Sequence, residues 1–231
     1  MLKVKLRLDI ISTLAIALII VTLGTCVLLT PINAKESVAV SVYRSSEKGV
    51  SLTFNVYQNT ECVVKILDVL SSYGVSATFF LGGTWVKKNQ DAVRALALTQ
   101  EIGSHGYYHY DHKSLTKAQN VEEIKRSIQA ITDCADVTPT LFAPPSGSYG
   151  DECLQAAEEL GLRVVLWSKD TIDWRDQDAE LIFKRATEEV RKGDFILMHP
   201  TPATVEALPH IIESILSKGL QILTVGENLG V

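Results

Sequence analysis

The stretch 50-VSLTFNVYQNTECVVKILDVLSSYGVSATFF-80 decides how this chain folds. Its first run, 50-VSLTFNV-56, is short, β-branched and apolar almost throughout. A helical segment follows from about Thr60 to Ser72, with Val63, Ile66, Leu67 and Leu70 on one face. Asn59 or Thr60 can cap it, and Gly74 ends it. The next run, continuing as 77-ATFFLGG-83, is again apolar on both sides of its pleat. Strands covered on both faces read as continuous apolar runs. Strand, helix, strand in this order predicts two parallel strands joined by a helix.

The same alternation continues in both directions. Further β-rich runs are 38-VAVSVY-43, 140-TLFAPP-145, 163-RVVLWS-168, 194-DFILMHP-200 and 220-LQILTV-225. Helical spacing recurs at about Asp91–Gln100, Lys117–Ala135, Glu152–Leu160, Asp178–Lys192 and Val205–Lys218. So many repeats of one unit suit a small or incomplete β/α barrel better than a flat sheet. Residues 37–231 read as one α/β domain, with no linker or low-complexity tract. In such folds chemistry gathers at the C-terminal strand ends. Those ends carry 54-FNVYQ-58, 105-HGYYH-109, 143-APPSG-147, 169-KDTIDW-174 and 199-HP-200.

Residues 1–36 read as a targeting segment. Lys3, Lys5 and Arg7 precede an apolar run from Ile10 to Leu29, about the 20 residues needed to span a bilayer. The basic flank places the domain outside the cytoplasm. A cleaved signal peptide is the alternative to an uncleaved anchor, but Ile32 is bulky for a cleavage site at 32-INA-34. Cys26 lies within the apolar run. Cys62, Cys134 and Cys153 form no disulfide framework and read as buried thiols, with at most one pair. The chain is 46% hydrophobic and 21% charged, with a formal net charge of −5. No stretch is basic enough for a nucleic-acid footprint, and a monomer is expected.

Three of the five histidines, His105, His109 and His112, crowd into 101-EIGSHGYYHYDH-112. On a helical turn His105 and His109 share a face and could grip one cation; the alternative is two histidines bonded to backbone. The strand-like entry 101-EIGS-104 places them at the rim. His199 ends an apolar strand, where a histidine is well placed as a general acid or base. Asp173 could hold it in one tautomer. Asp170 with Asp173 as a glycosidase pair carries little weight, since no second acid stands on the partner loops. Tyr107, Tyr108, Trp85 and Trp174 either pack or form a surface for sugar rings. His210 reads as a surface residue on the last helix, and Gly82-Gly83-Thr84 as a loop rather than a phosphate cradle.

Five stretches in order, together with 77-ATFFLGG-83, 101-EIGSH-105, 146-SGSYG-150 and 167-WSKDTIDW-174, resemble the NodB-homology polysaccharide deacetylases. The layout of 50–80 resembles their spore-associated, Gram-positive branch. The resemblance implies a distorted, incomplete β/α barrel, a divalent metal such as zinc, and removal of acetyl groups from chitin-like glycan or peptidoglycan. It implies metal ligation by His105 and His109, a general acid in His199 oriented by Asp173, and sugar contacts from Trp174 and Tyr149. It also exposes departures. The family's Thr-Phe-Asp-Asp-Gly, which holds the catalytic base and a metal ligand, is Thr53-Phe54-Asn55-Val56-Tyr57 here. Asn55 takes no proton from water, and Val56 binds no cation. The arginine that tethers the base is replaced by Ala143, and the two losses fit, because an arginine without its carboxylate would be a costly unpaired charge. A third ligand would have to come from His112, Asp111 or Gln58. Two readings follow: a weak or inactive deacetylase of cell-envelope glycan, membrane-anchored or secreted, or a silent glycan-binding scaffold of the wall.

Overall fold

The computed structural model describes residues 42–44 and 46–231. The N-terminal segment with Cys26, and the start of the run at 38–41, lie outside the described residues. In chain order the elements begin with β1 (Val42–Tyr43), β2 (Ser51–Val56), α1 (Thr60–Tyr73), β3 (Thr78–Leu81), α2 (Gly83–Lys88), α3 (Gln90–Ala97) and β4 (Glu101–Ser104). They continue with α4 (Lys117–Ala135), β5 (Leu141–Phe142), α5 (Asp151–Glu159), β6 (Arg163–Val165) and β7 (Lys169–Asp170). The last are α6 (Asp173–Asp176), α7 (Ala179–Thr187), β8 (Phe195–Met198), α8 (Pro202–Ser217) and α9 (Val225–Leu229). Among the described residues no helix is long and apolar enough to cross a membrane.

Among the described residues eight strands form one sheet in the order β1-β6-β5-β4-β3-β2-β8-β7, every pair parallel. The two edges, β1 and β7, do not pair with each other, so the barrel is incomplete. β2 lies between β3 and β8, with Thr53 in register with Thr78 on one side and Leu197 on the other. Its alternation sorts the layers. Leu52, Phe54 and Val56 pack outward with Val63, Ile66 and Leu70 of α1 and with Leu208, Ile211 and Ile212 of α8. Burying side chains of this size contributes about 1.5–3 kcal/mol each. A second outer cluster joins Ile124 of α4 to Cys153 and Ala156 of α5 over Phe142 and Val164. Inside the curl, Phe80, Leu141, Ala143, Val165, Phe195 and Val225 form a smaller core.

Two expectations need correction. The run 220–225 is no strand: it makes a single bridge, Val50 with Ile222. Thr224 then closes a reciprocal cap with Glu227 and starts α9, which is therefore the last helix. The helix expected to reach Lys192 stops at Thr187, because Glu188 is extended and Glu189 has a φ of 52°. Cys62 and Cys153 are buried free thiols; Cys134, also free, is half-buried.

Candidate functional site

The C-terminal strand ends converge on a cavity of about 290 Å³, lined by Asn55, Tyr57, His105, His109, Ser146, Trp167, Asp170, Trp174, Leu197 and His199. A smaller hollow of about 120 Å³ adjoins it and shares Asn55, Tyr57, Trp174 and His199. A larger groove of about 640 Å³ runs between α7 and α8 past Phe183 and His210. It lies between two outer helices, away from the strand ends where the sheet brings chemistry-bearing side chains together, so the mouth is the better candidate.

Asp173 is fully buried, and its carboxylate accepts three hydrogen bonds. The donors are the His199 backbone N–H at 2.6 Å, His199 Nδ1 at 2.8 Å and Thr204 Oγ1 at 2.7 Å. An acceptor at Nδ1 keeps the proton there and leaves Nε2 as the working nitrogen. The segment before it is held on several sides. Thr171 Oγ1 donates to the Leu197 carbonyl at 2.8 Å, and the Ile172 N–H donates to Asp170 Oδ1 at 2.8 Å. Arg185 Nη1 donates to the Thr171 carbonyl at 2.9 Å. Ile172 itself sits at φ 54°, an outlier for a β-branched residue. Such strain persists only where the surroundings over-determine it.

The histidine turn is not helical. His105 follows β4 directly, Gly106 turns at φ 72° and His109 at φ 62°, and this brings the two rings to 5.1 Å between centroids. His105 Nδ1 lies 2.7 Å from the Ala143 carbonyl. A carbonyl only accepts, so Nδ1 carries the proton and Nε2 presents a lone pair. Burial, then the neighbouring His109, hold the His105 imidazole well below the ordinary histidine range. Burial also lowers His109. From beneath, the Glu123 carboxylate accepts the Tyr107 and Tyr108 backbone N–H groups.

His112 goes elsewhere. It is fully buried, with Nδ1 at 2.7 Å from Asn120 Oδ1. Its Nε2 has no partner and lies against Gly106, 2.8 Å from where a Cβ there would stand. Asp111 is exposed and accepts from Ser148 Oγ at 2.7 Å. Gln58 lines only the smaller hollow.

The donor set at the mouth fits a divalent cation poorly. Among the described residues no three His, Cys, Asp or Glu side chains are grouped to hold one, whereas catalytic zinc sites use three protein ligands. Val56 is fully buried in the outer apolar layer. Tyr57, where the family carries glycine, lays its ring 4.2 Å from that of His109. Ala143 occupies the inner core beside Phe80 and Phe195, where the tethering arginine would start.

Of the remaining expected residues, Trp174 is 56% exposed at the mouth. Tyr149 is not at the mouth; it packs against the cluster under α5. Trp85 is buried, its Nε1 donating to Thr60 Oγ1 at 3.1 Å, so it offers no sugar surface. His210 is exposed on α8. Sequence reasoning missed Tyr57, Trp167, Ser146, Glu123 and Thr204. The glycine-to-tyrosine change at Tyr57 was the one visible signal among them.

A family model described as polysaccharide deacetylase matches residues 43–165. The chain is 36% identical over 179 residues to the uncharacterized protein YlxY of Bacillus subtilis (strain 168), covering 77% of this chain and 56% of that protein. It is 33% identical over 190 residues to the peptidoglycan-N-acetylglucosamine deacetylase PgdA of Listeria monocytogenes, covering 80% and 40% respectively. It thus spans about half the length of these relatives. Among solved structures it is similar to wild-type BA3943 from Bacillus anthracis, described as a CE4 family pseudoenzyme. That match has a TM-score of 0.80 at 31% identity, covering 83% of this chain and 69% of that one. A BA3943 mutant described as having restored enzymatic activity also matches with a TM-score of 0.80, at 30% identity, covering 83% and 72%.

Proposed function

The chain belongs to the polysaccharide deacetylase family, and on that premise we propose that it binds N-acetylated cell-envelope glycan at the mouth and deacetylates it weakly or not at all. One observation carries this reading: the mouth keeps a bonded His199–Asp173 pair but presents Asn55 where the family carries the base, while Val56, where the family carries a metal ligand, is buried in the outer apolar layer. His199 could still pass a proton to a leaving amine. General acid–base help of that kind is worth about 10²- to 10⁴-fold, well short of hydrolysing an amide unaided. No step is routed through a metal, because two neutral imidazoles do not make a catalytic ligand set.

The walls suit a sugar better than the floor suits a reaction. Trp174, Trp167 and Tyr57 supply flat apolar faces around a few polar groups. Relatives named as peptidoglycan deacetylases make peptidoglycan the first glycan to test. The BA3943 structures support the inactive reading by analogy, since one such barrel is described as a pseudoenzyme and its mutant as reactivated. The basic and apolar N-terminal segment would hold the domain at the outer face of the membrane.

The test uses the full chain purified in detergent. Zinc and cobalt are titrated by calorimetry, and acetate release is followed from N-acetylglucosamine oligomers and peptidoglycan. The expected result is glycan binding with little or no acetate. Submicromolar zinc uptake that is lost in His105→Ala, together with clear acetate release, would sink the proposal.

A further inference from the structure

We propose that Tyr108 and Tyr110, braced by Tyr107 and Arg126, form a second sugar platform beside the mouth that takes an acidic, carboxylate-bearing unit of the same glycan strand. This rests on the glycan-binding reading of the mouth.

Tyr108 and Tyr110 are 43% and 51% exposed, and their rings lie 5.3 Å apart at 32°. Tyr107 stands edge-on to Tyr108 at 4.7 Å. The strip is held from behind. Tyr107 seats on Gly83, where any Cβ would come within 2.2 Å of its ring. The Gly83 and Thr84 N–H groups donate to the carbonyls of Gly106 and Tyr107 at 2.9 and 3.0 Å. Glu123 fixes the amides of Tyr107 and Tyr108. Rings pre-set in this way lose little freedom when a ligand lands on them.

Arg126 gives the platform its chemistry. Its guanidinium lies 4.4 Å from the Tyr107 ring centre and 5.0 Å from that of Tyr108, and Nη2 donates to Tyr108 Oη at 3.1 Å. Arg126 is exposed, and among the described residues no carboxylate pairs with it. A fixed, unpaired guanidinium beside flat rings complements a pyranose face that carries a carboxylate. The bland alternative is a brace for the turn. A brace needs one shielded ring face, yet two rings here stay open to solvent. The strip adjoins the mouth, because His109 follows Tyr108 directly and lines the mouth with its ring tilted against that of Tyr57.

The test titrates the full chain in detergent with two tetrasaccharides. One alternates N-acetylglucosamine with N-acetylmuramic acid; the other contains N-acetylglucosamine only. Tyr108→Ala/Tyr110→Ala should weaken both by about tenfold, or about 1.4 kcal/mol. Arg126→Gln should weaken the acidic one at least about fivefold more than the neutral one and flatten the salt dependence of the acidic one alone. Tyr110→Ala alone, which removes the more exposed ring, should cost at least about threefold even if the double variant fails to fold. Binding within twofold of wild type in the Tyr and Arg variants, with loss in Trp174→Ala, overturns the platform and spares the mouth. A wild-type chain that binds neither oligomer overturns the mouth reading itself.

Discussion

Asp173 shows what a single side chain does here. Its buried carboxylate satisfies three donors at once, two of them on His199. Asp173→Ala should therefore cost about 2 kcal/mol or more in urea unfolding, because buried donors are left without partners. Asp173→Asn, which keeps the shape, should cost less. His112 makes a different prediction. Burial holds it below the ordinary histidine value, with Asn120 opposing that shift. The unfolded chain, with histidine near pH 6.5, then takes up its proton first as the pH falls. Stability from this site is complete above about pH 6.5 and declines as pH drops toward the folded value. His112→Leu, compared with wild type by urea unfolding from pH 8 to 5, should lose part of that acid slope. An unchanged slope would refute this assignment. His112 also shows where residue-level reading failed: spacing alone could not tell that only His105 and His109 of the cluster reach the rim.

At the scale of elements, the histidine turn depends on Gly106. Gly106→Ala would meet both a φ of 72° and the His112 ring, and should destabilise by more than about 1 kcal/mol in thermal or chemical melts. The end of β2 makes a sharper prediction. Val56→Asp alone places a charge in an apolar layer and should cost about 3 kcal/mol or more. The reversion Asn55→Asp, Val56→Asp, Ala143→Arg should take up zinc less tightly than the same chain with Tyr57→Gly added, because Tyr57 covers one side of His109. Calorimetric affinities that do not differ would remove Tyr57 from the account. The β2–α1–β3 unit was legible because apolar runs and helical spacing agree with burial on both faces. β7, two residues long, carries no periodicity at all. The run 220–225 misled because its apolar residues serve one bridge and a helix start. The sequence signal of that helix is the spacing of Thr224 and Glu227, which cap it reciprocally. The turn at 105–109 looked helical because its i, i+4 spacing is also met by a loop with two left-handed residues.

Across the whole molecule, the parallel sheet sends every strand's C-terminal end to the mouth and every N-terminal end to the base. α9 sits at that base. The Gly226 N–H donates to Glu101 at the start of β4, and the Val225 N–H donates to Thr78 at the start of β3. Asn228 ties the layers together: Oδ1 accepts from Ser46 Oγ at 2.9 Å and the Gly49 N–H at 2.7 Å, while Nδ2 donates to Ser51 Oγ at 2.6 Å. Asn228→Ala should cost about 1–3 kcal/mol, measured as a lowered urea midpoint with unchanged slope, since a buried N–H is orphaned far from the mouth. Glycan affinity at full folding should not move. Because the α9 knot lies at the pole opposite the ligand opening, a biotin or fluorescent label carried on Val231 would face a sensor chip while the opening looks into solution. Surface capture through that end should give the same affinities as free solution, with no correction for a blocked approach.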